Sequence, residues 1–178
     1  MQKTSNSDLN RISKQDFRTA EKIPVVLVLD NVRSLNNVGS VFRTSDAFAV
    51  EEIYLCGITG IPPHRDIEKT ALGASETVQW KYFKNTIDAI HLLKKSNYKI
   101  IAIEQAKESI MLNEAEIKLD EKLAFIFGNE VNGVSEEVMK NIDECIEIPQ
   151  FGTKHSFNIS VSAGIVLWHF YLQFYKMK

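Results

Sequence analysis

The chain reads as an α/β protein, a mainly parallel sheet with helices on both faces. Two observations predict this. Short apolar and β-branched runs alternate along its 178 residues with segments of helical period, the pattern of βαβ units. Several of those runs also end in a polar, glycine-bearing block, where open sheets place the loops that form a ligand crevice. The length fits one domain with a substantial core, divided here into an N-terminal basic, helical arm over residues 1–22 and a main domain over 23–178.

The arm comes first. Leu9, Ile12, Phe17 and Ala20 form a partial apolar stripe, and Ser7 or Asp8 is an N-cap candidate, so residues 7–20 are predicted helical. Pro24 separates this helix from a buried strand at 25–30. A polar loop at 31–36 leads to a helix over 38–49, where Val41, Phe42, Ser45, Phe48 and Ala49 recur at helical spacing. A strand at 53–56 follows, then a loop at 57–65 marked by Gly60, Pro62 and Pro63. Further strands are predicted at 78–83, 98–103, 123–127 and 145–148, with helices at 86–95 and 135–142. The stretch after 103 is acidic and has no assigned element. The closing helix, 158–175, carries Val161, Ile165, Trp168 and Leu172 on one stripe and apolar residues over much of the remainder. Such a helix is buried on most sides, either inside one monomer or at a homodimer interface.

Composition is that of a soluble globular protein: 44% hydrophobic, 25% charged, net charge −2. No apolar run is long enough to span a bilayer, and the first residues lack the apolar stretch of a secretory signal. A cytoplasmic protein with two buried free thiols, Cys56 and Cys145, is the expectation. The charge is uneven. From Ile148 to Lys178 there is no acidic residue, while Lys154, Lys176 and Lys178 are basic; the arm carries Lys3, Arg11, Lys14, Arg18 and Lys22. This is either a solvated, uneven surface or a face able to hold a polyanion.

Three polar blocks carry the chemistry. They are Asn37-Val38-Gly39-Ser40-Val41-Phe42-Arg43, Gly128-Asn129-Glu130-Val131-Asn132-Gly133, and residues 149–160 with Gly152, Lys154, His155, Ser156, Phe157, Asn158 and Ser160. They would bring Arg43, Asn37, Glu130, Ser156 and Asn158 to one cleft. Each residue alone has a structural reading: an Arg43–Glu130 ion pair, or helix caps at Asn37, Ser156 and Asn158. Other chemistries are excluded. There is no G-x-G-x-x-G, and Gly128–Gly133 lacks the Lys-Ser/Thr of a phosphate loop. His64, His91, His155 and His169 have no zinc-like spacing, so no metal is expected. The pair His64 and Glu68 is a weak signal.

In these blocks the sequence resembles the SpoU-like RNA ribose 2′-O-methyltransferases of the knotted SPOUT superfamily. Asn37, Gly39 and Arg43 meet the pattern N-x-G-x-x-x-R. Phe127, Gly128, Asn129, Glu130 and Gly133 meet a second pattern, and Ile148, Pro149, Gly152, Ser156, Phe157, Asn158, Ile159 and Ser160 a third. Leu72-Gly73-Ala74-Ser75-Glu76 resembles the short segment found between the first two. The resemblance implies a C-terminal trefoil knot, a rare exception to un-knotted topology. It implies S-adenosylmethionine as cofactor, held by Phe127, Gly128, Asn129, Gly133, Ile148 and Phe157. It implies Arg43 as the residue acting on the 2′-hydroxyl, oriented with the ribose by Glu130, Ser156 and Asn158, with Asn37 shaping the first loop or touching the ribose. It implies an RNA substrate, tRNA favoured over rRNA, gripped by Lys154, Arg11, Lys14 and Arg18. It implies a homodimer through the closing helix. An RNA base N-methyltransferase, a catalytically idle RNA-binding homologue and a small-molecule α/β enzyme are the competing readings.

Overall fold

The structure is a computed structural model that describes residues 3–9, 11–118 and 121–177. Lys178 lies outside the described residues, as does the Lys176 side chain. Among the described residues, seven strands form one sheet in the order β3-β2-β1-β6-β4-β7-β5. They are β1 Ile23–Asp30, β2 Val50–Cys56, β3 Gln79–Phe83, β4 Tyr98–Ile103, β5 Ile110–Met111, β6 Lys122–Phe127 and β7 Glu144–Glu147. Every pairing is parallel. The helices are α1 Lys14–Thr19, α2 Leu35–Ala47, α3 Arg65–Ala71, α4 Thr86–Lys95, α5 Glu136–Met139 and α6 Ile159–Met177.

Strand periodicity sorts the core into two layers. Val25, Leu27 and Leu29 of β1 face α2 and α6, packing in one cluster with Val41, Phe42 and Phe170. Val26 and Val28 face the other way, toward Ala89, Ile90 and Leu93 of α4 and Val138 of α5. A central strand covered on both faces has to read as one apolar run, and Val25 to Leu29 does. At its end Asp30, 1% exposed, accepts hydrogen bonds from the Thr86 hydroxyl at 2.5 Å, the Asn31 side-chain amide at 2.8 Å and the Ser135 backbone at 3.1 Å. A buried carboxylate is tolerated where its oxygens are met in this way.

Several predicted boundaries move, each for a local reason. The arm helix predicted over 7–20 is split into a 3₁₀ turn at Asn6–Leu9 and α1. Ser13 caps α1, accepting from Asp16 N at 3.1 Å, in place of Ser7 or Asp8. Phe17 anchors α1 in the core. The start of α2 lies three residues before the expected Val38, because Ser34 and not Asn37 is its N-cap. Just past the predicted loop at 57–65, in a stretch with no assigned element, lies α3, capped by His64 Nδ1 accepting from Asp66 N and closed by Leu72 in the left-handed region at φ 50°. Helix α5 is shorter than the predicted 135–142. The acidic stretch after β4 holds β5 and a 3₁₀ turn at Leu112–Glu114. For α4 and β4, observed and predicted bounds coincide.

Helices α2 and α3 cross closely at Gly39. A Cβ at that position would lie 2.2 Å from the Ile67 carbonyl oxygen, so the glycine of the first block, inside α2, is a packing requirement.

In the C-terminal segment, strand β7 pairs with β4 on one side and β5 on the other. Helix α6 follows it and packs on the sheet. Phe170 stacks on Phe125 of β6 at 4.8 Å. On the opposite side, Ala115 O lies 3.0 Å from His169 Nε2 and accepts from Gln173 Nε2 at 2.9 Å, while Ile117 N donates to Gln173 Oε1. His169 is therefore a packing residue. The expected burial of α6 is incomplete: Val161, Trp168 and Tyr175 remain about half or more exposed on one stripe.

Candidate active site

The carboxyl ends of β4, β6 and β7 open onto one cleft of about 710 Å³, within the range of small-molecule sites. Its walls come from the loops that leave those strands. Phe127, Met139, Ile148 and Phe157 supply apolar surface; Glu104, Gln150 and Ser156 supply polar groups.

The loop after β6 is a closed turn. Asn129 N donates to Gly133 O and Gly133 N to Asn129 O, both at 3.0 Å. The Asn129 side-chain carbonyl accepts from Val131 N at 3.0 Å and Asn132 N at 2.9 Å, so this side chain shapes the turn. Gly133 has φ 66°, and a Cβ there would lie 2.1 Å from Glu104 Oε2; a Cβ on Gly128 would lie 1.9 Å from the Gly133 carbonyl carbon. Only glycine fits either position. Glu104 holds the turn against β4, its carboxylate accepting from Val134 N at 3.0 Å and Gln105 N at 2.8 Å.

A polar chain joins all three blocks. Glu130 accepts from the backbone amides of Arg33 at 3.2 Å and Ser34 at 3.1 Å and from Asn37 Nδ2 at 3.1 Å. It thus sits at the N-terminus of α2, where negative charge is favoured. Partial burial pushes its carboxyl up, but its own amide, those of Arg33 and Ser34, and the Asn37 side chain bring it below the usual carboxylate value. Asn37 Oδ1 in turn accepts from Asn158 Nδ2 at 3.1 Å. Asn158 also caps α6, its carbonyl accepting from Ser160 N at 2.9 Å and the Ser160 hydroxyl at 2.7 Å. The cap of α6 and the contact with Asn37 are thus made by one side chain.

Arg43 is not in this assembly. The convergence expected within one chain fails for it: Arg43 is exposed and lines a second groove, of about 890 Å³, with Arg11, Lys14, Phe17, Leu72 and Gly73. The reason is helical geometry. Six residues beyond Asn37 lie about 9 Å along the axis and on another face. Glu130 consequently binds Asn37 and α2 amides, and neither the expected Arg43–Glu130 ion pair nor an orienting contact forms in the chain. Ser156 lines the main cleft and is exposed there; it does not cap α6.

The basic arm faces that second groove. Lys14 pairs with Glu76 at 2.7 Å, and Arg18 Nη2 donates to the Glu76 carbonyl at 2.8 Å. Arg11 lines the groove beside them. Lys154 is exposed on the loop before α6. The segment with Gly73 and Ala74 borders the second groove, and Ser75 donates to both oxygens of Glu68 at 2.9 and 2.7 Å. Among the described residues no group of three or more His, Cys, Asp or Glu is placed to hold a metal ion. Cys56 and Cys145 are buried and unpaired, and burial pushes their thiols up to about 12 and about 11.

Sequence reasoning had not assigned Glu104 or Met139 to the site. Glu104 follows directly on the predicted strand 98–103, so the rule that selected the other blocks also points to it.

A parallel α/β fold with its polar cleft at the carboxyl ends of central strands is the class of protein defined so far. Residues 24–168 match the SpoU rRNA Methylase family, and the chain belongs to that family. It is 32% identical over 144 residues to a Neisseria meningitidis 23S rRNA (guanosine-2′-O-)-methyltransferase, a match covering 81% of this chain and 56% of the relative's length. It is 28% identical over 152 residues to a Borreliella burgdorferi tRNA (guanosine(18)-2′-O)-methyltransferase, covering 85% and 68%. Among solved structures it is similar to the TrmH/SpoU tRNA modifying enzyme of A. aeolicus, with TM-score 0.79 and 26% identity over 92% of this chain and 81% of the other. An AdoMet-bound rRNA methyltransferase from Sinorhizobium meliloti gives TM-score 0.78 and 25% identity over 86% and 58%.

Proposed function

We propose that the protein is an S-adenosylmethionine-dependent RNA ribose 2′-O-methyltransferase, with tRNA as the favoured substrate and rRNA as the rival. The observation that carries this is the hydrogen-bonded chain Glu130–Asn37–Asn158, which joins all three family blocks beside the cleft. The names of the relatives support the reaction class, and the A. aeolicus tRNA enzyme, covered over most of its length, supports tRNA.

The methyl donor fits the cleft. Gly128 and Gly133 let the turn after β6 close tightly at the cleft wall, Ile148, Met139 and Phe157 give apolar walls for an adenine, and Glu104 brings negative charge toward a cationic ligand. When bound, S-adenosylmethionine supplies an already activated methyl group, so orientation of the ribose accounts for much of the acceleration. Asn158 and Asn37 fix one another, and Ser156 offers a hydroxyl to the ribose from the same wall.

Arg43 enters from a second protomer in this reading. The apolar stripe Val161, Trp168 and Tyr175 on α6 supports a homodimer, in which one subunit's Arg43 stabilises the developing alkoxide in the partner's cleft. A guanidinium stays protonated, so it acts as an electrostatic group and not as a base. The second groove, lined by Arg11, Lys14 and Arg43 and with Arg18 bound to the Glu76 carbonyl, then grips the RNA backbone together with Lys154. Residues 1–22 serve as a basic arm on a 23–178 knotted methyltransferase domain, and the packing of α6 between Phe125 and residues 115–117 supports the knot. Cytoplasmic residence suits the two free thiols.

A second reading is a catalytically idle RNA-binding homologue, favoured by the absence of Arg43 from its own cleft. Labelled methyl incorporation into total tRNA and rRNA, followed by digestion to nucleosides, tests both. The expected result is methyl on ribose. Methyl on a base points to an N-methyltransferase, and no incorporation with retained RNA binding points to the idle homologue.

A further inference from the structure

The loop between β7 and α6 carries Phe151, 99% exposed. One exposed apolar residue is ordinary on a protein surface; its setting is not. Gln150, His155, Ser156 and Phe157 of the same loop line the main cleft. Lys154 is exposed three residues away, and no acidic residue follows Glu147 to the end of the chain. A Cβ on the adjacent Gly152 would have nothing within 4 Å, so this part of the loop stands clear of the body. The exposed apolar residues that would suit a protein partner, Val161, Trp168 and Tyr175, lie instead along α6.

Resting on the reading above that the substrate is RNA, we propose that Phe151 is a stacking platform for an unpaired nucleobase next to the methylated nucleotide, with Lys154 meeting the adjoining phosphate. Unstacked RNA bases are recognised by aromatic faces beside cationic groups, because every base has a π-face and every linkage a negative charge. A platform on the cleft-lining loop would hold the target ribose at the cleft while its base is drawn out of the RNA stack. Phe151 here is a positioning residue that touches the RNA and not the methyl donor.

The test compares wild type, Phe151→Ala and Phe151→Trp in three measurements: steady-state methylation of total tRNA and rRNA, binding of a single-stranded RNA carrying 2-aminopurine, and S-adenosylmethionine affinity by calorimetry. Phe151→Ala should raise KM for RNA and weaken oligonucleotide binding ~5- to 150-fold, the range of one lost stacking contact. Donor affinity and sedimentation should stay as in wild type, and Phe151→Trp should restore RNA binding. Unchanged RNA binding in Phe151→Ala overturns the platform. So does loss of donor binding or of self-association, which would make the ring part of the donor cleft or a protein contact. If wild type transfers no methyl to RNA, the enzymatic reading fails, and the oligonucleotide arm still decides the platform.

Discussion

Asn158 donates its side-chain amide to Asn37 Oδ1 at 3.1 Å, across 121 positions of sequence. One contact thereby couples the start of α6 to the first turn of α2. Asn158→Ala removes both this bridge and the α6 cap, each worth ~1 kcal/mol. Thermal unfolding should show a loss of about 2 kcal/mol, and methyl transfer should fall further than stability does. Wild-type turnover in a folded Asn158→Ala protein would remove Asn158 from the site.

Glu130 gives the fold a pH dependence of known sign. Its folded carboxyl lies below the ordinary value of 4.5. The stabilisation is therefore complete above that value and is lost as pH falls through the lower folded one. Denaturant unfolding at a series of acidic pH values should show stability decreasing on acidification, and Glu130→Gln should flatten that slope. Equal slopes for both proteins would show that other carboxylates carry the effect.

Arg43 is exposed and forms no part of its own chain's cleft. Arg43→Ala should leave stability within about 0.5 kcal/mol yet reduce methyl transfer ~10²- to 10³-fold, as removal of a charge-stabilising donor does. Co-expressing Arg43→Ala with Asn158→Ala separates the two arrangements. If Arg43 works across a dimer, mixed dimers hold one complete site and regain activity that neither variant has alone; if it works within its own chain, they stay inactive.

Both thiols should be silent. With burial pushing Cys56 up to about 12 and Cys145 up to about 11, a disulfide reagent at neutral pH should label neither in the native protein and both after unfolding. Fast native labelling would mean that the sheet opens around them.

Gly39→Ala should separate α2 from α3, since the added methyl meets the Ile67 carbonyl oxygen at 2.2 Å. Overpacking of that kind costs ~1–3 kcal/mol, readable as a lowered urea midpoint. An unchanged midpoint would mean that α3 moves freely.

The sheet was legible because its central strands are apolar on both faces: Val25 to Leu29 and Leu123 to Phe127 admit no other reading. Helix α4 was legible to the residue because Asn85 caps it, accepting from Asp88 N at 2.9 Å, and the left-handed Asn97 lies just beyond its end. Helix α3 was hidden by Gly60, Pro62 and Pro63, which announce a loop and conceal the short turn of helix after it. At the candidate site, order along the chain anticipated the juxtaposition of Asn37, Glu130 and Asn158 and the placing of Ser156 on the same cleft, since loops at one edge of a parallel sheet meet. It misplaced Arg43, although the helical period between Asn37 and Arg43 already sets them on different faces. Pattern singled out Arg43; geometry places it on the wall of the second groove.

The polar bridge has a consequence for how the mouth of the cleft responds to damage. Asn158 at the head of α6 holds Asn37, and Asn37 holds Glu130, so the three loops are tied in series. A lesion at Asn37 cuts both side-chain links at once, whereas a lesion at either end leaves the other link intact.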